Sequence, residues 1–422
     1  QHGLPHLAQA RTGAGGGGAR MKPAYLIVSG DFVKAGGMNQ PNYELARYLA
    51  DEGFETHLVG YRVADDLARR PGVTFHRVPK PAGSYFLSQP LMNRIGRRWA
   101  RAITAADGRV IVNGACCDWD DINWVHHVQA VFAPQVTAGW ARRLKNSAQR
   151  RVDLAAERKI VPRAKLAITT TERMRHDLAE CLAFPAERAH TVYLGIDSAL
   201  FRPPTADERL AARARVSVAD SALGRPLVAF VGALGDSRKG FDTLFGAWAR
   251  LCMTPTWDAD LVVVGMGSEL PAWKARAASA RIAPRIRFLG FDRDETFVAG
   301  VLWGCDALVL PSRYEGYGRP VQEALCCGLP ALVSRASGIA DQYPAELADL
   351  IVPDAEDVAD LAARLVRWRN TADAWRETIR PFSAALREHT WRRMAEEMVA
   401  IIERQRSQSA TVRANQRCGF AA

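Results

Sequence analysis

The sequence has no apolar run approaching the roughly 18 residues that a membrane-spanning helix needs. Its first twenty residues, QHGLPHLAQARTGAGGGGAR, lack the apolar core of about 7–15 residues found in secretory signals. They hold a four-glycine run ahead of Met21 and read as a disordered leader or a mis-assigned start, and the chain is expected in the cytosol. Eight cysteines are present, including the neighbours Cys116–Cys117 and Cys326–Cys327, without a CxxC or a Cys/His cluster at metal-ligand spacing. Reduced, packed thiols are expected, with no disulfide frame and no metal site. Neither VSGDFVKAGG nor VVVGMGSE completes GxGxxG with an acid about 20 residues on, which argues against a nicotinamide dehydrogenase.

What is present fits a two-domain globular protein. The 422 residues are 48% hydrophobic and 24% charged, enough for two cores. The net charge of +11 is uneven: residues 21–205 carry +8 and residues 206–422 carry +1. From Met21, short β-rich runs (AYLIVSG, ETHLVG, VTFHRV, RVIVNG, INWVHHV, KLAITTT, HTVYLG) alternate with helical stretches, and after FRPPTADER the alternation restarts with PLVAFVGAL, DLVVVGMG, RIRFLGF, DALVLPS, PALVS and DLIVP. Strands alternating with helices predict α/β architecture: two Rossmann-like, doubly wound parallel-sheet domains facing each other across a cleft. The expected division is a leader at 1–20, an N-terminal domain at 21–205, a C-terminal domain at 206–385, a helix at 386–405 and a loose polar tail at 406–422. Met394, Met398, Ile401 and Ile402 fall on one side of that helix and need an apolar surface to cover.

The densest chemistry lies in PSRYEGYGRPVQEALCCGLPALVS, residues 311–334. It follows the buried run ALVL, so Glu315 is expected in a strand-to-helix loop and Glu323 in the first turn of the helix that Pro320 opens. Gly316 and Gly318 allow backbone to approach a ligand, and free N–H groups at a helix start favour an anion. Read alone, the pair fits either a site that grips neutral hydroxyls or a helix-dipole acid beside a solvated loop acid. In FVGALGDSRKGFDTL, Arg238 and Lys239 also follow a strand and precede a helix, with Gly240 for the turn. They supply the cations that a diphosphate requires.

VGALGDSRKGFDTL, LVVVGMGSEL, RIRFLGF and EGYGRPVQEALCCGLPALVS, in this order, resemble the C-terminal domain of the retaining glycosyltransferases of family 4, which have the GT-B fold. The likeness extends over about residues 24–400 and is strongest over 226–342. It implies a C-terminal helix returning to the N-terminal domain and sugar transfer from a UDP-, GDP- or ADP-sugar to a glycan, lipid-linked or other hydroxyl acceptor, with no cofactor or metal. It implies Arg238 and Lys239 on the donor diphosphate, Glu323 on the ribose, Glu315 on the donor sugar, the amides of Gly316, Tyr317 and Gly318 in the loop, and residues 287–291 beside the base. A non-catalytic sugar-nucleotide binder on the same fold stays open as an alternative.

In the first half, Gly36 and Gly37 precede a helix and read either as a flexible turn or, by the resemblance, as a loop approaching the donor phosphates. His126 ends an apolar strand and is similar to a strand-end histidine of the family, implying a substrate contact with a catalytic role; His127 is the second candidate. The chain departs from the family at Asn113 and Gly114, where another histidine is common, at Ala233, where arginine is common, and at Leu194, where asparagine is common. No obvious general base takes that histidine's place, although Asp118, Asp120 or Asp121 could approach the acceptor. Finally, Arg94, Arg97, Arg98 and Arg101 share a helical face, and Arg142, Arg143, Lys145, Arg150 and Arg151 add charge. This reads either as a solvated face or as a contact with an anionic membrane surface or phosphate-bearing acceptor; no nucleic-acid motif accompanies it.

Overall fold

A computed structural model describes residues 22–34, 36, 38–131, 140–217, 224–235, 237–292 and 294–419, without the side chains of 140–146 and 409–419. The expected leader, Gly37 and the side chains of Arg142, Arg143 and Lys145 lie outside the described residues.

Two parallel sheets carry the fold. The first has seven strands in the spatial order Val73–Arg77, Thr56–Gly60, Tyr25–Val28, Arg109–Asn113, Ile122–Val125, Leu166–Thr169 and Ala189–Thr191. The second has six, ordered Ile286–Gly290, Asp260–Val264, Leu227–Val231, Ala307–Leu310, Ala331–Ser334 and Ile351–Val352. The central strands YLIV, LVAFV, DLVVV and ALVL are buried throughout, as aliphatic strands covered by helices on both faces must be. In each sheet the chain's first strand lies inside, so the winding direction reverses beside it, and the crevice for a ligand opens at that reversal. In the second sheet this puts the loops after Val231 and Leu310 side by side.

Two helices depart from the sequence reading. Glu172–Leu182 was not anticipated, and Ala206–Val216 begins inside the proline-containing stretch that reads as a linker. The second is set by a reciprocal cap: Thr205 Oγ1 accepts the Glu208 amide at 3.2 Å, and the Glu208 carboxylate accepts the Thr205 amide at 2.8 Å. It packs on helix Glu295–Gly304, and Arg209 and Arg213 reach the carboxylate of Asp306 at 2.6 and 2.8 Å.

The last helix, Trp391–Gly419, runs past residue 405, where a loose tail was expected. It buries Trp391, Met394, Met398 and Ile402 and packs on helix Asn39–Asp51 of the N-terminal half. Each such side chain contributes about 1.5–3 kcal/mol of burial. Arg109 forks onto Glu403 at 2.9 and 2.8 Å, and the Tyr25 hydroxyl donates to Glu403 at 2.9 Å. Burial works against the Glu403 charge, but these donors outweigh it and hold the carboxylate below its ordinary range. The last helix is thereby fastened to the first strand. Among the described residues no helix is long and apolar enough to cross a membrane.

Candidate functional site

The site begins with a tight approach of two loops. Gly240 has φ +67°, and a Cβ there would lie 1.9 Å from the Pro311 carbonyl oxygen. With no side chain at 240, the turn Ser237–Lys239 sits against the loop that follows Leu310. Arg313 fastens the two: its amide donates to the Arg238 carbonyl at 2.8 Å, and its guanidinium forks onto Asp242 at 2.8 and 2.7 Å and reaches Glu356 at 2.8 Å. Arg313 was not singled out from the sequence, although it lies two residues before Glu315 in the same motif.

The approach pairs the predicted charges. Lys239 donates to Glu315 Oε2, and Arg238 Nη1 stands 3.6 Å from Glu315 Oε1. Burial pulls the Glu315 pKa up, but Lys239 and Arg238 overcome it and keep the carboxylate below its usual value. Glu323 is different. Burial pushes it up against the pull of Arg319, Glu295 adds to the rise, and the carboxyl reaches about 6. Glu323 is the fifth residue of helix Arg319–Cys326 and so lies beyond the first turn in which it was expected. Helical side chains tilt toward the N-terminus, so Glu323 still reaches the cavity that Glu315 lines.

That cavity, of about 1250 Å³, lies between the two halves. Arg238, Lys239, Glu315, Gly316, Tyr317, Gly318 and Glu323 line it from one side, and Gly36, Asn113, Gly114, His126 and His127 from the other. Gly316 was expected to admit a ligand. Its missing side chain also serves packing, because a Cβ there would stand 2.4 Å from the His126 carbonyl oxygen across the domain boundary. Tyr314 ties the same seam, its hydroxyl accepting the Val128 amide at 3.2 Å while its ring meets His127 edge-on at 4.8 Å.

The N-terminal wall is mostly neutral. Burial depresses the His126 pKa to about 3, and its Nε2 has no hydrogen-bond partner among the described residues. His127 falls to about 4, through burial and then the nearby Arg238. Asn113 donates to Asn42 at 2.8 Å, and Asn123 donates to the Gly114 carbonyl at 2.8 Å. Gly36, at φ +99°, accepts the amides of Asn39 and Gln40 through its carbonyl at 3.2 Å each. Glu157 pins the loop after His127 by accepting the amides of Gln129 and Ala130 at 2.8 and 3.1 Å.

Three expectations are corrected. Asp118, Asp120 and Asp121 do not line the cavity. Asp121 accepts the Val110 amide at 3.1 Å, Asp118 pairs with Arg163 at 2.9 Å and Lys159 at 3.2 Å, and Asp120 lies 3.5 Å from Lys165. Asp120 and Asp121 precede strand Ile122–Val125, so they sit at the edge of a parallel sheet opposite the cleft. The acid of the N-terminal half that does line the cavity, among the described residues, is Asp153, on helix Trp140–Ile160, accepting from Gln149 at 2.7 Å. It is the sole carboxylate between Asp121 and Glu157, a signal hidden by the surrounding arginines. Second, Arg287 turns away, donating to the Ser217 carbonyl, and only Phe291 of the segment 287–291 lines the cavity. Third, the arginine face is not uniform: Arg94, Arg98 and Arg101 are exposed, whereas Arg97 is half-buried with its Nε enclosed.

Comparison with known proteins matches both halves. Residues 225–369 match the family described as Glycosyl transferases group 1, and residues 35–200 match Glycosyltransferase Family 4. The chain is 26% identical to a D-inositol 3-phosphate glycosyltransferase of Jonesia denitrificans, over 88% of this chain and 92% of that protein. In fold it resembles sucrose-phosphate synthase from Thermosynechococcus elongatus, with a TM-score of 0.72, 21% identity and coverage of 92% and 100% of the two chains. It also resembles an Anabaena protein solved with UDP and glucose, with a TM-score of 0.66, 15% identity and coverage of 90% and 100%. With one half matched to each family description and the two parallel-sheet domains closing on one cavity, the chain belongs to the family 4, group 1 glycosyltransferases of the GT-B fold.

Proposed function

We propose that this enzyme transfers a sugar from a nucleotide diphosphate sugar to a hydroxyl acceptor, with retention of anomeric configuration and without a metal. The observation that carries the reading is the convergence of Arg238, Lys239, Glu315 and Glu323 on one interdomain cavity. The D-inositol 3-phosphate glycosyltransferase relative and the UDP-bound Anabaena neighbour support it.

Glu315 pairs with both cations. A diphosphate entering beside them takes over that role and leaves Glu315 to accept from the hydroxyls of the sugar. The amides of Gly316, Tyr317 and Gly318, ahead of helix Arg319–Cys326, add donors, and the Gly36 turn approaches the phosphates from the other domain. As the glycosidic bond breaks, negative charge grows on the departing phosphate, where a preorganised donor is worth about 3–4 kcal/mol. Positive charge grows on the sugar ring, and His126, kept neutral by burial, can contact the ring without adding an opposing charge. Glu315 and Glu323 are read as binding groups, so the reading includes no covalent glycosyl-enzyme. Glu323 takes the ribose hydroxyls.

The test is turnover with UDP-glucose, GDP-mannose and ADP-glucose across a panel of hydroxyl acceptors. Acceptor-dependent release of the nucleotide diphosphate, with the donor's anomeric configuration preserved in the product's proton couplings, supports the proposal. Binding without transfer to any acceptor supports the non-catalytic alternative.

For the acceptor we infer an anionic amphiphile or membrane surface, on one specific observation. Helix Tyr85–Ala105 exposes Tyr85, Phe86 and Leu87 (57, 53 and 50%) at its start, with Phe86 and Leu87 at the cavity rim, and Arg94, Arg98 and Arg101 further along. Each cation near an anionic surface adds about 1 kcal/mol. Salt-sensitive sedimentation with phosphatidylglycerol vesicles, absent with phosphatidylcholine, is expected; no pelleting at low salt removes the idea.

A further inference from the structure

Gln40, Glu295, Arg319 and Glu323 form one chain of contacts from the N-terminal half to the ribose carboxylate. Gln40 Nε2 donates to Glu295 Oε2 at 3.0 Å. Arg319 Nη2 donates to Glu295 Oε1 at 2.7 Å and stands 3.0 Å from Glu323 Oε1. The Arg319 guanidinium is buried, with its central carbon 5.6 Å from the ring centre of Trp391. Glu295 and Arg319 line the cavity, whereas Gln40 does not. Gln40 sits in the first turn of helix Asn39–Asp51, its amide bound to the Gly36 carbonyl at 3.2 Å.

One guanidinium thus holds two carboxylates that would repel each other in its absence. The side chain that orients Glu295 from behind comes from the opposite domain, next to the glycine turn that would approach the phosphates. We propose that Arg319 is the positioning residue for Glu323, and that the Gln40–Glu295 hydrogen bond makes this placement conditional on closure of the two halves, so that the Gly36 turn and the ribose carboxylate engage the donor together. The inference rests on the donor reading above. The charged and titratable groups facing Glu323 are Arg319 on its own helix, Glu295 from helix Glu295–Gly304, Lys239 from the turn Ser237–Lys239, and Cys326 and Cys327 just after it in the chain. Glu44, one turn after Gln40, faces Arg319.

The test is calorimetric titration of the full chain with UDP-glucose, GDP-mannose and ADP-glucose between pH 5.5 and 8. For whichever of the three the wild type binds, Arg319→Gln is expected to weaken affinity about ten- to a hundred-fold, the loss typical of a charge-assisted hydrogen bond. The same variant should move the acid limb of the affinity profile to higher pH, and Arg319→Lys should recover much of both. Gln40→Met, which keeps the volume and removes the bond, should cost about three- to ten-fold. The double variant Gln40→Met/Glu295→Gln should be no weaker than Glu295→Gln alone, since one link is being cut twice. A folded Arg319→Gln with wild-type affinity and an unchanged pH profile overturns the proposal, as do Gln40→Met and Glu295→Gln losses that multiply independently. If Arg319→Gln does not fold, the Gln40 and Glu295 cycle decides. Wild-type protein that binds none of the three sugars sinks the donor reading, and this inference with it, a result distinct from normal binding by the variants.

Discussion

The two walls of the cleft are held in opposite ways. On the C-terminal wall, Arg238, Lys239, Arg313 and Arg319 meet Glu315, Asp242, Glu356, Glu295 and Glu323 in ion pairs within a few loops. On the N-terminal wall the groups, Asp153 apart, are amides and neutral histidines: Asn42 with Asn113, Asn123 with Gly114, and His126 and His127 depressed by burial. The difference teaches where each substrate's demands lie. A diphosphate needs fixed countercharge whatever sugar it carries, and that charge is set by residues in the loops and helix that follow adjacent strands. The acceptor wall must admit a hydroxyl beside a developing cation, and a neutral surface does so without electrostatic penalty.

The largest expected effect comes from breaking the approach that assembles the charged wall. Gly240→Val places a branched side chain at φ +67° against the Pro311 carbonyl, so a loss on the order of 4 kcal/mol in stability, with loss of donor binding, is expected in thermal and urea unfolding. Next, Glu315→Gln frees Lys239 and Arg238 from their carboxylate. UDP affinity should then stay equal or rise, while sugar transfer falls about ten- to a hundred-fold, which separates phosphate binding from sugar binding on the charged wall.

A third effect is set by pH. Glu323 has its folded pKa raised to about 6, so its contribution to the donor-free protein's stability is full below its ordinary value and lost as pH rises through about 6. On the proposed reading donor binding needs the carboxylate, so the thermal shift produced by a bound nucleotide sugar should grow between pH 5 and pH 7. A shift independent of pH across that window would separate Glu323 from the ribose. The smallest effect lies on the mostly neutral N-terminal wall. Asp153→Asn should raise the acceptor KM a few-fold and leave donor affinity unchanged, measured by steady-state kinetics.

Legibility followed the same division. Strand positions were readable because runs such as YLIV and ALVL are buried on both faces and have no other stable placement. The charged wall was readable because Glu315, Glu323, Arg238 and Lys239 lie in short motifs next to strands, where chain order fixes spatial order. Asp153 and Gln40 were not, because they reach the site from helices whose rotation about the sheet depends on tertiary packing. Asp118, Asp120 and Asp121 looked close in sequence, but a parallel crossover carries Asp120 and Asp121 to the far edge of the sheet. The helix at Ala206–Val216 was hidden by prolines, although Thr205 and Glu208 mark its start.

The most direct test of the divided site is the thermal shift of wild type, Lys239→Ala and Glu323→Ala with UDP-, GDP- and ADP-sugars at matched concentrations, since ligand that binds only the native state raises its melting temperature. The account predicts a clear rise for wild type with at least one donor and none for either variant with that donor. Equal rises in all three proteins would contradict it.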